Sequence, residues 1–450
     1  VATNPPNRLL LNDCISQSIA LARRQEKLMA VLFLHLDHFK YVNDSLGHAA
    51  GDQLLQSVSK RLVGSLRDSD TVSRQGGDVF IILLSEVSHP GDAATSARKI
   101  LRPLVAAQGV IDQDLHINAS IGISTYPEDG EEADTLIQNA DMAMYHAKES
   151  GRNNFQFFTP AMDLKSRERQ ALEGGLGHAL EREEFLLHYQ PKVNLDTGSI
   201  TGVEALIRWQ PPDREMMLPA LFVPVAEDCG LIVEMGRWVL REACQQARSW
   251  QDAGLPPLPI SVNVSAVEIR DQGFIRGVRK ILSETGLASQ HLQLELTEGV
   301  LMQDAEATGA VLAALKARGL QLAVDDFGTG YSSLSYLRQF PVDVLKIDES
   351  FLQEINSEHP DSTLVSVIID MGRSLKHLVI AEGVETLEQK SYLQNQHCSV
   401  GQCYLFSRPV AAAQFANPLR AAMAKLSTIK GPELVVPLPA GMEIDGSSVC

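Results

Sequence analysis

The chain has 450 residues, 44% of them hydrophobic and 21% charged, an ordinary globular composition that excludes disorder over most of its length. A formal net charge of -17 sets it against nucleic-acid backbones and excludes a polymeric nucleic acid as partner, but not a small anion held by cations in a pocket. The 6 cysteines (Cys14, Cys229, Cys244, Cys398, Cys403, Cys450) are scattered without a CxxC pair, which excludes a disulfide frame and suits reduced thiols in a cytoplasm.

No apolar run reaches the length of a membrane span, and no signal peptide is evident. The sequence opens on Val1, not methionine. A sensor or membrane region is therefore expected upstream, with the present part cytoplasmic and the longer protein open to membrane attachment.

In chain order, an apolar strand over 30–36 is followed by a helix, then by strands over 71–74 and 79–84 joined at Gly76-Gly77-Asp78. A helix over 93–107, a strand over 116–124 and a helix over 133–148 follow. Strands and helices alternate, which predicts an α+β domain over 1–158 with helices packed on a sheet. Residues 159–177 are charged (Lys165, Arg167, Glu168, Arg169) and poor in large apolar side chains, and predict a helix whose 159–172 portion links two domains.

From 173 to 427 one unit repeats: a short apolar strand, a polar cluster, an amphipathic helix. The expected strands are 185–189, 200–207, 259–264, 291–296, 321–324, 344–347, 379–381 and 403–406. The helix over 307–318 carries Val311, Leu312 and Leu315 on one face. Such a series predicts an α/β fold, a (β/α)8 TIM-like barrel. Residues 428–450, rich in proline and glycine, are expected to be disordered.

Barrel enzymes place catalytic groups at the C-terminal ends of their strands. Those ends here carry Glu204, Asn263, Glu295 with Glu298, Asp325-Asp326 before Phe327-Gly328, Lys346 with Asp348, Glu382, and Gln402 ahead of the last strand. One acid at a strand end reads as a solvated rim residue, and Asp325-Asp326 alone reads as a polar turn. Repetition at strand after strand is what the turn reading leaves unexplained. Crowded carboxylates repel unless cations neutralise them, and oxygen-only ligands select Mg2+ or Mn2+ over Zn2+. Adjacent aspartates can bridge two ions ~3.5–4 Å apart, the arrangement of phosphoryl hydrolysis, with Lys346 orienting the attacking water.

Glu204-Ala205-Leu206-Ile207-Arg208-Trp209 resembles the signature of EAL domains, the cyclic di-GMP phosphodiesterases, and the resemblance runs over 172–425. It implies that Glu204, Asn263, Glu295 and Asp325 bind one metal and that Asp325 and Asp326 bind the other, as Mg2+ or Mn2+. Lys346, Glu382 and Gln402 then complete the site, Glu382 as ligand of the metal-bound water or as general base. Glu298 is implied to hold the loop over 325–334, which the family uses to couple dimerisation to metal binding. Gln190, Leu206 and Arg208 are implied to contact the dinucleotide, the guanidinium fork suiting a phosphate. Pro211 and Glu215 stand where the family usually has histidine and glycine, and Ser399 and Cys403 where it has aspartate and glycine. These departures bear on substrate affinity, and none replaces a metal ligand.

The first half resembles a diguanylate cyclase (GGDEF) domain over 3–158. The resemblance rests on Arg74-Gln75-Gly76-Gly77-Asp78-Val79-Phe80, Asn43-Asp44-Ser45-Leu46-Gly47-His48, Asp52, Ala140-Asp141-Met142-Ala143-Met144-Tyr145 and Gly151-Arg152-Asn153. Val79 replaces the signature glutamate and His35 a metal-binding aspartate, while Asp37 and Asp78 remain. Loss of preorganised charge costs several kcal/mol in a barrier, so cyclase chemistry is expected to fail. The resemblance also implies GTP as an effector at Asn43, Asp52, Asp78, Lys148 and Arg152, and a cyclic di-GMP inhibitory site at Arg67, Asp70 and Arg98. Residual ancestry without a ligand and ordinary surface ion pairs are the alternatives there.

Three functional readings follow. The first is a cyclic di-GMP-specific phosphodiesterase producing linear pGpG, a homodimer with its degenerate cyclase domain as a regulatory or dimerising module. The second is a catalytically silent cyclic di-GMP receptor, and the third a bifunctional cyclase and phosphodiesterase. Retention of every metal acid favours the first.

Overall fold

The computed structural model describes residues 8–415 except 38, 40–41, 44–46, 106–117, 303, 330–336, 354, 356–361 and 403. The expected tail over 428–450 and the second half of the loop over 325–334 lie outside the described residues. Contacts divide the chain into two compact units, Val1–Ala171 and Leu172–Cys450. The expected linker helix is Pro160–Ala179, which runs across that division.

The first unit is a five-stranded sheet in the order β2-β3-β1-β4-β5, formed by β1 (Leu28–Leu36), β2 (Thr71–Gly76), β3 (Val79–Val87), β4 (Ala119–Tyr126) and β5 (Phe155–Phe157). β1 is apolar almost throughout because helices cover both its faces. Leu32, Leu34 and Leu36 pack with Leu54, Val58 and Leu62 of helix His48–Ser65 and Ile100 of helix Pro90–Val105. Met29 and Val31 pack with Leu11 and Ile15 of helix Arg8–Gln25 and Leu136 of helix Ala133–Glu149. Each such side chain contributes roughly 1.5–3 kcal/mol by burial. Gly122 lets the last helix lie directly on β4, since a Cβ there would stand 1.9 Å from the Ala140 carbonyl oxygen. Helix Arg8–Gln25 and β5 are additional to the elements expected from sequence.

The second unit is a closed eight-stranded barrel: β6 (Phe185–Asn194), β7 (Ile200–Trp209), β8 (Ile260–Asn263), β9 (Leu292–Thr297), β10 (Gln321–Phe327), β11 (Val344–Ile347), β12 (Leu378–Glu382) and β13 (Val400–Gln402), with β13 bonded back to β6. A two-residue β14 (Val410–Ala411) pairs with the outer part of β6. Two features differ from the regular repeat expected. β6 runs antiparallel to both β7 and β13. The short link between β6 and β7 permits only a hairpin, because a parallel neighbour needs a crossover of roughly a dozen residues or more. The eighth strand lies at Val400–Gln402 rather than 403–406, so Gln402 is within it. Residues 404–406 form a turn from which Leu405 and Phe406 pack on the barrel core. Their apolar, aromatic character imitates a strand. The barrel interior is filled, with Ala323, Val344, Ile380 and Val400 forming one apolar patch. No helix among the described residues is long and apolar enough to cross a membrane.

One buried acid serves the scaffold. Ser265 and Glu268 form a capping box on helix Ala266–Arg270, with the Ser265 amide and hydroxyl donating to Glu268 Oε2 at 2.9 and 2.7 Å. Burial pushes the Glu268 carboxyl up to about 7, Ser265 pulling against it and nearby Glu227 adding to it. The unfolded chain ionises near ~4.3. Because the folded value is raised, stability falls as pH rises between the two values and stays lowered above them. The substitution Glu268→Gln is therefore expected to gain on the native chain by ~2–3 kcal/mol between pH 5 and pH 8. Thermal unfolding of the C-terminal unit at both pH values checks this, and a pH-independent difference contradicts it.

Candidate metal centre and active site

The barrel strands bring most of the expected acids to one mouth around Lys346 of β11. Lys346 Nζ lies 3.3 Å from Glu204 Oε2, 2.5 Å from Glu295 Oε2, 3.1 Å from Asp325 Oδ1 and 2.8 Å from Glu382 Oε1. These belong to β7, β9, β10 and β12, so a single ammonium links strands around the barrel. Burial alone would push Lys346 down, but Glu204, Glu295, Glu382 and Asp325 hold it well above its ordinary value.

Strand alternation alone would send Asp325 and Asp326 to opposite faces. The β10–β11 register slips between Val324 and Phe327, and Asp326 adopts a left-handed conformation with φ 51°. Aspartate tolerates that region better than most residues because its short side chain bonds locally. Here the Asp326 amide donates to Asp325 Oδ1 at 3.1 Å. Both carboxylates thereby reach the mouth. Just beyond, Gly328 has φ +101° and donates its amide to Glu298 Oε2 at 3.2 Å, so Glu298 anchors the start of the following loop.

Two groups of three acids each have ligand oxygens within 4.8 Å of one another: Glu204, Glu295 and Asp325, then Asp325, Asp326 and Glu382. Asp325 belongs to both. An all-oxygen set of this density fits hard divalent cations such as Mg2+ or Mn2+. Asn263 is exposed at the end of β8, its Nδ2 donating to Glu204 Oε1 at 2.6 Å.

Charge is distributed unevenly. Burial would push Glu295 up, but Lys192 and Lys346 outweigh it and hold the carboxyl down at about 2. Burial, then repulsion from Glu295, raises Glu204 despite Lys346. Burial likewise lifts Glu382 well above its ordinary value. Asp326 is pushed up to about 6 by burial and by the negative charges of Asp325 and Asp348. A cation arriving at carboxyls raised in this way competes with protons for them.

Beside the acids is a cavity of ≈ 220 Å³, whose walls include Gln190, Asp326, Asp348, Glu382, Gln402 and Tyr404. Gln402 Nε2 donates to Gln190 Oε1 at 3.0 Å and to Glu204 Oε2 at 2.5 Å, while its own Oε1 is buried with no partner among the described residues. Arg208 is buried on β7, donating to the Ile207 carbonyl at 2.8 Å, and Leu206 lies opposite His188 of β6. Sequence reasoning missed Lys192, Ser261 and Gln293 beneath the acids, and Glu349 and Tyr404 at the mouth. Lys192 had a signal: His188, Gln190 and Lys192 alternate with Leu187 and Tyr189, placing three polar residues on one strand face.

The first unit gathers a weaker set. His35 and Val79, the two departures from the cyclase pattern, face each other across β1 and β3. His35 Nε2 lies 3.3 Å from Asp78 Oδ2. Burial and Lys148 lower the imidazole despite Asp78 and Asp37. Asp37 is buried and accepts from Ser120 Oγ at 2.9 Å and from the Asn153 amide at 3.2 Å. Burial also lowers Lys148, against Asp37, Asp78 and Asp141. Asn43 approaches Gly51 so closely that a Cβ there would meet its Oδ1 at 2.0 Å. Asp52 is exposed, and Arg152 has a left-handed backbone, φ 58°. Arg67 and Asp70 line a separate cavity of ≈ 100 Å³ with Lys99, whereas Arg98 stacks over Phe155 at 5.3 Å.

The sequence model of the EAL domain matches residues 174–409, and that of the "Diguanylate cyclase, GGDEF domain" matches 1–154. The chain belongs to the GGDEF-EAL family. It is 44% identical over 412 residues to the "Bifunctional diguanylate cyclase/cyclic di-GMP phosphodiesterase MucR" of Pseudomonas aeruginosa, covering 92% of this chain and 60% of that relative. It is 40% identical over 419 residues to "Cyclic di-GMP phosphodiesterase NbdA" of the same organism, covering 93% and 53%. The chain thus spans between half and two thirds of the length of these relatives. Its EAL barrel resembles the solved "PaMucR Phosphodiesterase, c-di-GMP complex" with a TM-score of 0.53 and 44% identity, over 54% of this chain and 99% of that one.

Removing the shared ammonium leaves buried acids unpaired. Lys346→Met is expected to destabilise the metal-free GGDEF-EAL chain by ~3–5 kcal/mol, the typical cost of breaking a buried pair from one side. Mn2+ is expected to restore more thermal stability to the variant than it adds to the native chain. Equal shifts in both proteins contradict the charge account.

Proposed function

We propose that this chain hydrolyses one phosphodiester of cyclic di-GMP to linear pGpG at the barrel mouth, with two Mg2+ or Mn2+ ions. The observation that carries the reading is the membership of Asp325 in both acid groups, which suits one carboxylate bridging two cations. The names of NbdA and of the MucR phosphodiesterase structure support the same substrate.

Glu204, Asn263, Glu295 and Asp325 would hold one ion, and Asp325 with Asp326 the other. Bound there, the ions would supply Lewis-acid stabilisation of the phosphoryl oxygens and a water of lowered pKa. Lys346 would orient the attacking water, and Glu382 would take its proton. The water oxygen bonds to phosphorus as the bond to the ribose 3′ oxygen breaks, and the proton taken up by Glu382 passes to the departing oxygen, which leaves as a 3′-hydroxyl. Gln190, Leu206 and Arg208 position the dinucleotide, Gln402 ties Gln190 to Glu204, and Glu298 holds the loop beyond Asp326.

The GGDEF domain is proposed as a regulatory and dimerising module of a homodimer without cyclase activity, because His35 and Val79 remove two acids that cyclase chemistry needs. GTP is its proposed effector at Asn43, Asp52, Asp78, Lys148 and Arg152. Cyclic di-GMP is the proposed ligand of Arg67 and Asp70, with Arg98 the weakest member because it is already stacked on Phe155.

Incubation with cyclic di-GMP and Mg2+ or Mn2+ is expected to yield pGpG, and Glu204→Ala or Asp325→Ala to lower turnover at least 100-fold. Binding without turnover in the native chain would make the protein a receptor. Incubation with GTP alone is expected to yield no cyclic di-GMP, and its appearance would overturn the account of His35 and Val79.

A further inference from the structure

We propose that Lys192 is a positioning residue of the metal centre, one that keeps one oxygen of Glu295 occupied and leaves only the other free to ligate a divalent ion. The inference rests on the two-ion reading above and concerns how the centre chooses among ions.

Lys192 lies on β6, the strand that runs against the others, two residues deeper than Gln190. It is 3% exposed. Its Nζ donates to Ser261 Oγ at 2.6 Å, Gln293 Oε1 at 2.7 Å and Glu295 Oε1 at 2.5 Å. Those acceptors use all the protons an ammonium carries. The acceptors are themselves fixed: Ser261 Oγ donates to Gln293 Oε1 at 2.7 Å, and Gln293 Nε2 donates to Gln321 Oε1 at 3.3 Å. Among the described residues Lys192 forms an ion pair with Glu295 alone, although its charge also reaches Glu204.

The opposite oxygen differs. Glu295 Oε2 meets Lys346, which also touches Glu204, Asp325 and Glu382 and can lean on them when a cation arrives. One oxygen of Glu295 is therefore exchangeable and the other is not. Mg2+ requires a near-regular shell of six oxygens, whereas Ca2+ accepts six to eight and often takes both oxygens of a carboxylate. A Glu295 restricted to one oxygen biases the centre toward the smaller ions and against Ca2+.

The direct test is a crystal of the native full chain grown with Mn2+ and no substrate. Glu295 Oε2 is expected at the ~2.1 Å typical of small hard cations, with Oε1 still on Lys192 Nζ. Both oxygens on the ion, or Oε1 alone, would overturn the proposal. In parallel, calorimetry on metal-free Lys192→Met is expected to show a Ca2+-to-Mn2+ affinity ratio at least 10-fold above native. Lys192→Gln, which returns an N–H donor to Oε1, is expected to move the ratio back. An unchanged ratio in folded Lys192→Met also overturns the proposal, and if that variant fails to fold, the native crystal decides alone. A native centre that binds no ion defeats the two-ion reading itself, a result distinct from an ion gripped by both Glu295 oxygens.

Discussion

Like charges crowded into a low-dielectric barrel repel strongly, and the ammonium of Lys346 is what holds four carboxylates together at the mouth. Each bond crosses to a different strand, so the group that balances the charge also ties the barrel ends. The balance is incomplete. Glu204, Glu382 and Asp326 are all raised, whereas Glu295, between two lysines, is held down at about 2. A centre in that condition is short of positive charge, and divalent cations are the simplest species to supply it.

The backbone contributes two irregularities that a uniform repeat would lack. The reversed β6 brings Gln190 to the mouth opposite Glu204 and places Lys192 below it, because side chains descend into the barrel as that strand proceeds. The register slip and left-handed Asp326 let adjacent aspartates serve one site. Such a conformation in a non-glycine residue carries a cost of roughly 1 kcal/mol, and it falls beside Asp325, the acid common to both groups.

The sequence made much of this legible, for identifiable reasons. Strand ends carrying Glu204, Glu295, Asp325, Lys346 and Glu382 pointed to one rim because the βα repeat fixes which end of each strand is functional. The same rule hid Lys192, which sits on the one strand that breaks it. The short hairpin link before Ile200 already forbade a parallel β6, a constraint stronger than the repeat it interrupts. The strand at Val400–Gln402 was masked by the more strand-like aromatic run at 404–406, which forms a turn. In the first half, helix Arg8–Gln25 was readable from Leu11, Ile15, Ile19 and Ala22 along one face. Arg98 matched a motif by spacing, but spacing does not show that a guanidinium will stack on Phe155.

The central claim is that two divalent ions share Asp325. The most direct measurement is electron paramagnetic resonance of Mn2+ titrated into the metal-free chain. The account predicts two equivalents bound per chain, with magnetically coupled spectra from ions ~3.5–4 Å apart. One equivalent, or two with uncoupled spectra, would contradict it.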